Sequence, residues 1–436
     1  MYDELLRFFT LQAEPSPAIF FSGENTDLVK TLCARLKLEY LDNPDAQAQY
    51  ALIDLRARIA SIKTLEQWKA LRTEIFTLCK NLFNNHQERR FITVIAQNMF
   101  IDGKYEPLAW DISYVIATIF SLKDEKISCL GESSLYEKVS PKNAGNENFY
   151  LLNFRKDENS QNSDELVPYS FRGRKAKFAE ATPQWFILKP QRRNADEILH
   201  PAKYPEDLID MYVSAYTKEG QNVYDPMSGT GSTQVGSLKL RRNAYGTELS
   251  DFFGEIARKR SKEVITPQQE SLFAENNDCE VRIEIGDARD FRKFNFPKQH
   301  YLITSPPYWD MLNMKGAENQ AKRIESGLRT NYSENLKDMG NINDYNEFLN
   351  SVTALYFEIA ELLHAKAKLT IVVKNIKKKG INFPFAWDLC RILQEKFILL
   401  PENFWLQDDI SIAPFGYGNT WVSNTFHQYC LQFQLP

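Results

Sequence analysis

The chain has 436 residues, 43% of them hydrophobic and 25% charged, with a formal net charge of −4, which is ordinary for a globular protein with room for more than one core. That balance excludes a generally basic nucleic-acid binder, so any such function must rest on local clusters. The six cysteines (Cys33, Cys79, Cys129, Cys279, Cys390, Cys430) form no CxxC and no Cys/His pairing, which argues against a zinc site or disulfide frame and for reduced thiols in the cytoplasm. Met1-Tyr2-Asp3-Glu4 carries acids where a signal peptide needs bases. No apolar run approaches the roughly 18 residues of a membrane span, so no membrane partner is expected.

Residues 1–130 read as a mainly helical domain. Leu28, Leu32, Leu36 and Leu38 have near-helical spacing, and residues 44–83 place Leu52, Leu55, Ile59, Ile62, Leu65, Trp68 and Leu71 at three- and four-residue intervals. The apolar segment Trp110 to Leu122 is expected to pack against them. No internal repeat of fixed period stands out. Residues 131–182 read as a linker or exposed loop, with turn signals at Gly131-Glu132-Ser133-Ser134 and Asn143-Ala144-Gly145-Asn146 and a polar run from Asp157 to Asp164. Two basic clusters fall at its end: Arg172-Gly173-Arg174-Lys175-Ala176-Lys177, then Lys189-Pro190-Gln191-Arg192-Arg193. A charge run is usually a solvated face. Interleaved with Phe171, Phe178 and Trp185, these clusters are also candidates for contact with a nucleic-acid backbone.

Residues 183–436 alternate helix and strand, which predicts a mostly parallel sheet covered on both faces. After His200-Pro201-Ala202-Lys203-Tyr204-Pro205 a helix is predicted from Glu206 to Tyr216. Val223-Tyr224 then leads into Asp225-Pro226-Met227-Ser228-Gly229-Thr230-Gly231-Ser232 and a further helix. Strand, glycine-rich turn and helix form a ligand site at the carboxyl edge of an α/β sheet: the glycines let backbone approach closely, and the helix start offers unpaired N–H groups. About twenty residues on, a second strand ends at Glu248-Leu249, the spacing at which an acid takes ribose hydroxyls. A third strand, Val281 to Ile285, ends in Gly286-Asp287-Ala288.

The fourth strand, Tyr301-Leu302-Ile303-Thr304, stops at Ser305-Pro306-Pro307-Tyr308-Trp309. The prolines forbid further ladder pairing and fix φ, so the turn is rigid. It would hold the Ser305 hydroxyl, the Pro306 carbonyl and the Tyr308 ring in one constellation, suited to a flat, amine-bearing guest. The glycine-containing stretch from Asp310 to Asn343 reads as a long functional loop. Leu369 to Val373, Ile398 to Leu406 and Phe426 to Phe433 are predicted strands, with Lys374 and Lys377-Lys378-Lys379 beyond the first.

These motifs together resemble the S-adenosylmethionine-dependent amino DNA methyltransferases, over residues 180 to 436, and most of all the Ser-Pro-Pro-Tyr group typical of N4-cytosine enzymes. The resemblance implies a Rossmann-like, seven-stranded sheet with one reversed strand. It implies a catalytic set of Ser305, Pro306, Pro307 and Tyr308. It also implies a cofactor set of His200, Pro201, Lys203, Asp225, Pro226, Met227, Ser228, Gly229, Gly231, Ser232, Glu248, Leu249, Asp287, Ala288 and Thr304. Arg172, Arg174, Lys175, Lys177, Arg192, Arg193, Trp309, Lys377 and Lys378 are the expected DNA contacts, and no metal is expected. Many relatives have Phe where Met227 stands, and Met can fill the same space. In relatives with this cofactor loop the catalytic motif comes first; here the cofactor half precedes it, a circular permutation. Because the chain ends just after its last strand, target recognition is expected in the N-terminal region. The implied substrate is a base flipped from double-stranded DNA, with cytosine N4 favoured by Ser305. Adenine N6, an RNA substrate, or a silent cofactor-sensing DNA-binding module are the competing readings. A separately encoded restriction endonuclease stays open as a partner.

Overall fold

The computed structural model describes residues 1–10, 17–135, 143–176, 178–189, 205–265, 278–307, 309, 337–378, 380–407, 414–417, 420–423 and 425–436. In the first unit α1 (Tyr2–Phe9), β1 (Ala18–Ser22), α2 (Thr26–Leu36), β2 (Glu39–Leu41), β3 (Tyr50–Asp54), α3 (Arg56–Ala60) and α4 (Leu65–Asn85) are followed by β4 (Phe91–Ala96). The hairpin β5 (Met99–Ile101) and β6 (Lys104–Glu106), α5 (Leu108–Ala117), β7 (Ser121–Leu130), β8 (Ala144–Gly145) and β9 (Glu147–Arg155) complete it. Six of these strands form a sheet in the order β2-β1-β3-β4-β9-β7.

Residues 1–130 are therefore not mainly helical, and residues 131–182 are not all linker. Tyr50-Ala51-Leu52-Ile53 is buried at every position, as is Phe91 to Ala96. A strand covered on both faces carries no alternation, and Leu52 of β3 and Leu55 just beyond it fell by chance on helical spacing. The helical spacing is realised from Leu65 onward, where a capping box of Thr64 and Gln67 starts α4, whose inner face buries Trp68, Leu71, Ile75, Cys79 and Leu82. β9 lies between turn signals and polar residues that hid it.

The second unit begins with β10 (Trp185–Ile187), α6 (Glu206–Tyr216), β11 (Asn222–Asp225), α7 (Ser232–Lys239), β12 (Asn243–Glu248), α8 (Asp251–Ile265), β13 (Val281–Ile285) and β14 (Gln299–Thr304). It continues with α9 (Tyr345–Ile359), β15 (Leu363–Val373), the hairpin β16 (Ile376–Lys378) and β17 (Ile381–Phe383), α10 (Phe385–Leu393) and β18 (Ile398–Leu406). The hairpin β19 (Pro414–Tyr417) and β20 (Thr420–Ser423) precedes β21 (His427–Gln434). Its sheet runs β13-β12-β11-β14-β15-β21-β18-β10-β8. The first seven are the expected seven-stranded methyltransferase arrangement, with β21 antiparallel to both neighbours. β10 and β8 extend the edge, so a piece of the first unit's chain pairs into the second unit's sheet.

The units share a continuous core, in which Trp110 and Trp387 stack with ring centroids 6.3 Å apart and an interplanar angle of 14°. The six cysteines are all free. No helix among the described residues is long and apolar enough to cross a membrane.

Candidate active site

Parallel strands β12, β11 and β14 end side by side, and their carboxyl ends build the site. Asp225 closes β11 fully buried. Its Oδ1 accepts from the Met227 amide at 3.0 Å and from Thr304 Oγ1 at 2.7 Å, and its Oδ2 from Thr233 Oγ1 at 2.7 Å. One carboxylate thus fixes the glycine loop, the start of α7 and the last residue of β14. Thr233 was not singled out from sequence; its only signal is a hydroxyl in the first turn after the loop.

The loop turns through Gly229 and Gly231, at φ +52° and +79°, a region that favours glycine. A Cβ on Gly231 would lie 2.8 Å from that of Ala257, so glycine is what lets the loop sit down on α8. Gly246 of β12 is equally constrained, because a Cβ there would meet Ser228 Oγ at 2.2 Å. Ser228 Oγ donates to the Asp225 carbonyl and accepts from Gln234 Nε2 at 3.0 Å, so it is held by the fold.

Glu248 ends β12 over this loop. Its Oε2 accepts from the Gly229 amide at 2.8 Å and its Oε1 from the Ser250 amide at 2.9 Å. Burial pushes its carboxyl up to about 7 against those amides, with the nearby Asp225 adding to the rise. A carboxyl poised there takes hydroxyl hydrogens as it ionises. Asp287, after β13, caps a short 3-10 stretch that begins at Ala288. Burial would raise its carboxyl, but the Arg289 guanidinium and amide outweigh burial and hold it below the usual range. Arg289 Nη2 lies 2.6 Å from Asp287 Oδ2 and also donates to the Lys337 carbonyl at 2.8 Å. That clamp was invisible in the sequence.

Thr304 is buried, and Ser305, Pro306 and Pro307 leave the sheet at its carboxyl edge. Trp309 is buried, donates from Nε1 to the Asn343 carbonyl at 3.2 Å, and packs edge-on to Tyr345 and Phe383 at 5.2 and 4.9 Å. The expected DNA contact at Trp309 is therefore corrected: its ring is packed into the wall behind the Ser-Pro-Pro turn. Pro226, Met227, Ser232 and Leu249 lie in the loop, at its helix start and just past β12, as expected. Tyr308, His200, Pro201, Lys203, Lys177, Arg192 and Arg193 lie outside the described residues.

Among the remaining basic residues, Arg174, Lys175, Lys377 and Lys378 have side-chain partners within the chain, and Arg172 is tied in through its backbone amide. Arg174 Nη2 donates to the Glu395 carbonyl at 2.6 Å, Lys175 meets Asp102 at 3.0 Å, and the Arg172 amide bonds Gln394 Oε1 at 2.6 Å. Lys377 pairs with Asp124, and Lys378 sits 4.0 Å over the Trp309 ring. The segment around Arg172 straps the two units together.

A profile of the DNA methylase family matches residues 55–259. The type II methyltransferase M.MthZI of Methanothermobacter thermautotrophicus is 30% identical over 140 residues, 30% of this chain and 39% of that protein. The orphan methyltransferase M.BamHII of Bacillus amyloliquefaciens is 35% identical over 77 residues, 17% of this chain and 29% of that protein. The chain thus spans less than half the length of these relatives. Among solved structures, a methyltransferase from Pyrococcus furiosus is 11% identical at a TM-score of 0.29, covering 54% of this chain and 86% of that one; the fold assignment rests on the strand order instead. With the strand order, the loop after β11 and the Ser-Pro-Pro end of β14 in place, the chain is similar to the N6/N4 DNA methylases, whose profile matches a little under half of it.

Proposed function

We propose that the second unit transfers a methyl group from S-adenosylmethionine to an exocyclic amine of a flipped base in double-stranded DNA, with cytosine N4 as the acceptor. The observation that carries the reading is the bond from Thr304 Oγ1 to Asp225 Oδ1, which ties the end of the catalytic strand to the start of the glycine loop. The residues present suit the cofactor: a loop able to lie against it, the Glu248 carboxyl for ribose hydroxyls, and Asp287 for an adenine amine.

Bound there, S-adenosylmethionine supplies an electrophilic methyl on a sulfonium and leaves as the neutral thioether. The amine is a poor nucleophile because its lone pair is delocalised into the ring. Ser305 Oγ and the Pro306 carbonyl accept its two N–H bonds, which draws the lone pair out of the ring plane and aims it at the methyl carbon. Tyr308 is assigned to stack on the flipped base. Ser305 is no base at neutral pH, so the proton leaves to solvent after the N–C bond has formed. The preference for cytosine follows from Ser at the head of the motif. A separately encoded endonuclease would fit the type II name of M.MthZI, whereas M.BamHII is named an orphan methyltransferase.

The test is nucleoside analysis of DNA methylated by the purified chain. N4-methylcytosine is expected; N6-methyladenine alone would overturn the cytosine assignment while keeping the reaction class.

A further inference from the structure

No short-period repeat exists in the sequence, but one long one does. Asn98, Gly103, Pro107, Ala109, Trp110 and Asp111 recur as Asn375, Gly380, Pro384, Ala386, Trp387 and Asp388, each pair 277 residues apart (98 to 375, 111 to 388). The first unit's strand order, β2-β1-β3-β4-β9-β7, corresponds to β12-β11-β14-β15-β21-β18 of the second, without a counterpart of β13. Individual bonds repeat as well. Asn98 Oδ1 accepts from the Ala109 amide at 2.9 Å, and Asn375 Oδ1 from the Ala386 amide at 2.8 Å. Thr93 donates to Asn153 at 2.7 Å, and Thr370 to Gln432 at 2.9 Å.

The two copies face each other across a pseudo-twofold axis, with reciprocal contacts of the kind an isologous dimer makes. Asn98 Nδ2 donates to Glu402 Oε1 at 2.9 Å, and Asn375 Nδ2 to Glu125 Oε1 at 2.8 Å. Tyr150 Oη donates to Glu402 at 2.5 Å and Tyr429 Oη to Glu125 at 2.9 Å.

The same register shows what the first copy has lost. Asp54 pairs with Ile95 as the last residue of β3, one step beyond the position that Thr304 holds opposite Ile371 in β14. Asp54-Leu55-Arg56 therefore stands where Ser305-Pro306-Pro307 stands, and Phe21 where Asp225 stands. Ser22-Gly23-Glu24-Asn25 replaces the longer glycine loop. The mouth is filled by the chain itself. Arg56 grips Asp54, with Nη2 to Oδ2 at 2.6 Å and Nε to Oδ1 at 3.0 Å. Buried Tyr2, from α1, bonds Asp54 and accepts from Arg56 and from Asn25, each at 3.1 Å.

The interface also reaches the working site. On β7, Lys123 Nζ donates to the Gly380 carbonyl at 3.0 Å, Asp124 pairs with Lys377, and Glu125 holds Asn375. All three partners belong to or border the β16–β17 hairpin, whose Phe383 and Lys378 pack on Trp309, two residues past Pro307.

We propose that residues 18–155 are a catalytically silent second copy of the methyltransferase sheet, retained as a built-in partner that binds no cofactor and, through Lys123, Asp124 and Glu125, positions the hairpin behind the catalytic turn. The chain then works with one active site where a dimer of complete copies would have two. The inference rests on the function proposed above for the second copy. Glu125 is a positioning residue; Glu402 makes the reciprocal contacts to the silent copy's own hairpin and serves as its internal control.

Two measurements on the full chain test this. Calorimetric titration with S-adenosylhomocysteine should give one site per chain, lost in Glu248→Ala. Two sites, or one that survives Glu248→Ala, would overturn the silent copy, while no binding by the wild type would overturn the proposed function as well. In steady-state methylation of DNA, Glu125→Gln should lower kcat by about tenfold with S-adenosylhomocysteine affinity unchanged, and Glu402→Gln, which disturbs an equivalent network, should leave kcat near wild type. Equal losses in both variants would mean a merely structural interface, and an unchanged kcat in Glu125→Gln would contradict the positioning role.

Discussion

Thr304 and Asp225 are 79 positions apart in sequence, and Thr304 Oγ1 donates to Asp225 Oδ1 at 2.7 Å inside the sheet edge. The bond makes the last residue of the strand that delivers Ser305 and the last residue of the strand that opens the glycine loop into one unit. Asp225→Ala would strand the hydroxyls of Thr304 and Thr233 and the Met227 amide without their acceptor. The expected cost is about 3 kcal/mol in a denaturant titration. Thr304→Val removes a single donor and should cost about 1 kcal/mol, with methylation impaired more than folding.

Glu248 gives the site a pH dependence with a definite sign. Its carboxyl is pushed up to about 7 from 4.5 by burial. Between those values the folded chain keeps a proton that the unfolded chain has lost, so this group's contribution to stability falls as pH rises and levels off above about 7. Glu248→Gln should remove that part of the slope, seen as a wild-type-minus-variant difference in denaturation midpoint that shrinks from pH 5 to pH 8. Affinity for S-adenosylhomocysteine should rise over pH 6 to 8 in the wild type, since only the ionised carboxyl accepts from both ribose hydroxyls, and should stay flat in Glu248→Gln.

Gly231→Ala tests the loop's packing. The residue sits at φ +79°, and a Cβ would stand 2.8 Å from the Ala257 Cβ and 2.9 Å from its Cα. Backbone and helix must both shift, so a loss of about 2 kcal/mol is expected, with weakened cofactor binding. Gly220→Ala is the control: its φ is also positive, but nothing lies within 4 Å of the new Cβ.

Trp110 and Trp387 join the two copies by stacking at 6.3 Å. Replacing either by Ala should cost about 3–5 kcal/mol. Because the rings touch, the double variant should be less destabilised than the sum, with a coupling of about 1 kcal/mol. Wild-type calorimetry should show one cooperative transition for both units.

The second unit was legible because glycine and proline punctuate its strand ends. Gly229, Gly231, Pro306 and Pro307 each mark a place where the chain must turn or stop, and the acids Asp225, Glu248 and Asp287 stand beside them. The first unit offers no such punctuation. Tyr50 to Ile53 and Phe91 to Ala96 are buried on both faces, so their apolar runs have no period, and the longer α4 drew the whole region into a helical reading. The repeat was hidden because only a handful of residues recur across 277 positions, and those the chemistry needs are the ones replaced. The charges of Arg174, Lys175 and Lys377 looked free in the sequence; their partners Glu395, Asp102 and Asp124 are distant along the chain.

The most direct test of the central claim is transfer of radiolabelled methyl from S-adenosylmethionine to double-stranded DNA by the purified chain, with Ser305→Ala in parallel. The account predicts label on exocyclic base amines, reduced by about a hundredfold or more in Ser305→Ala while S-adenosylhomocysteine still binds. Wild-type rates in that variant with cofactor bound, or label absent from DNA and present on RNA or protein, would contradict it.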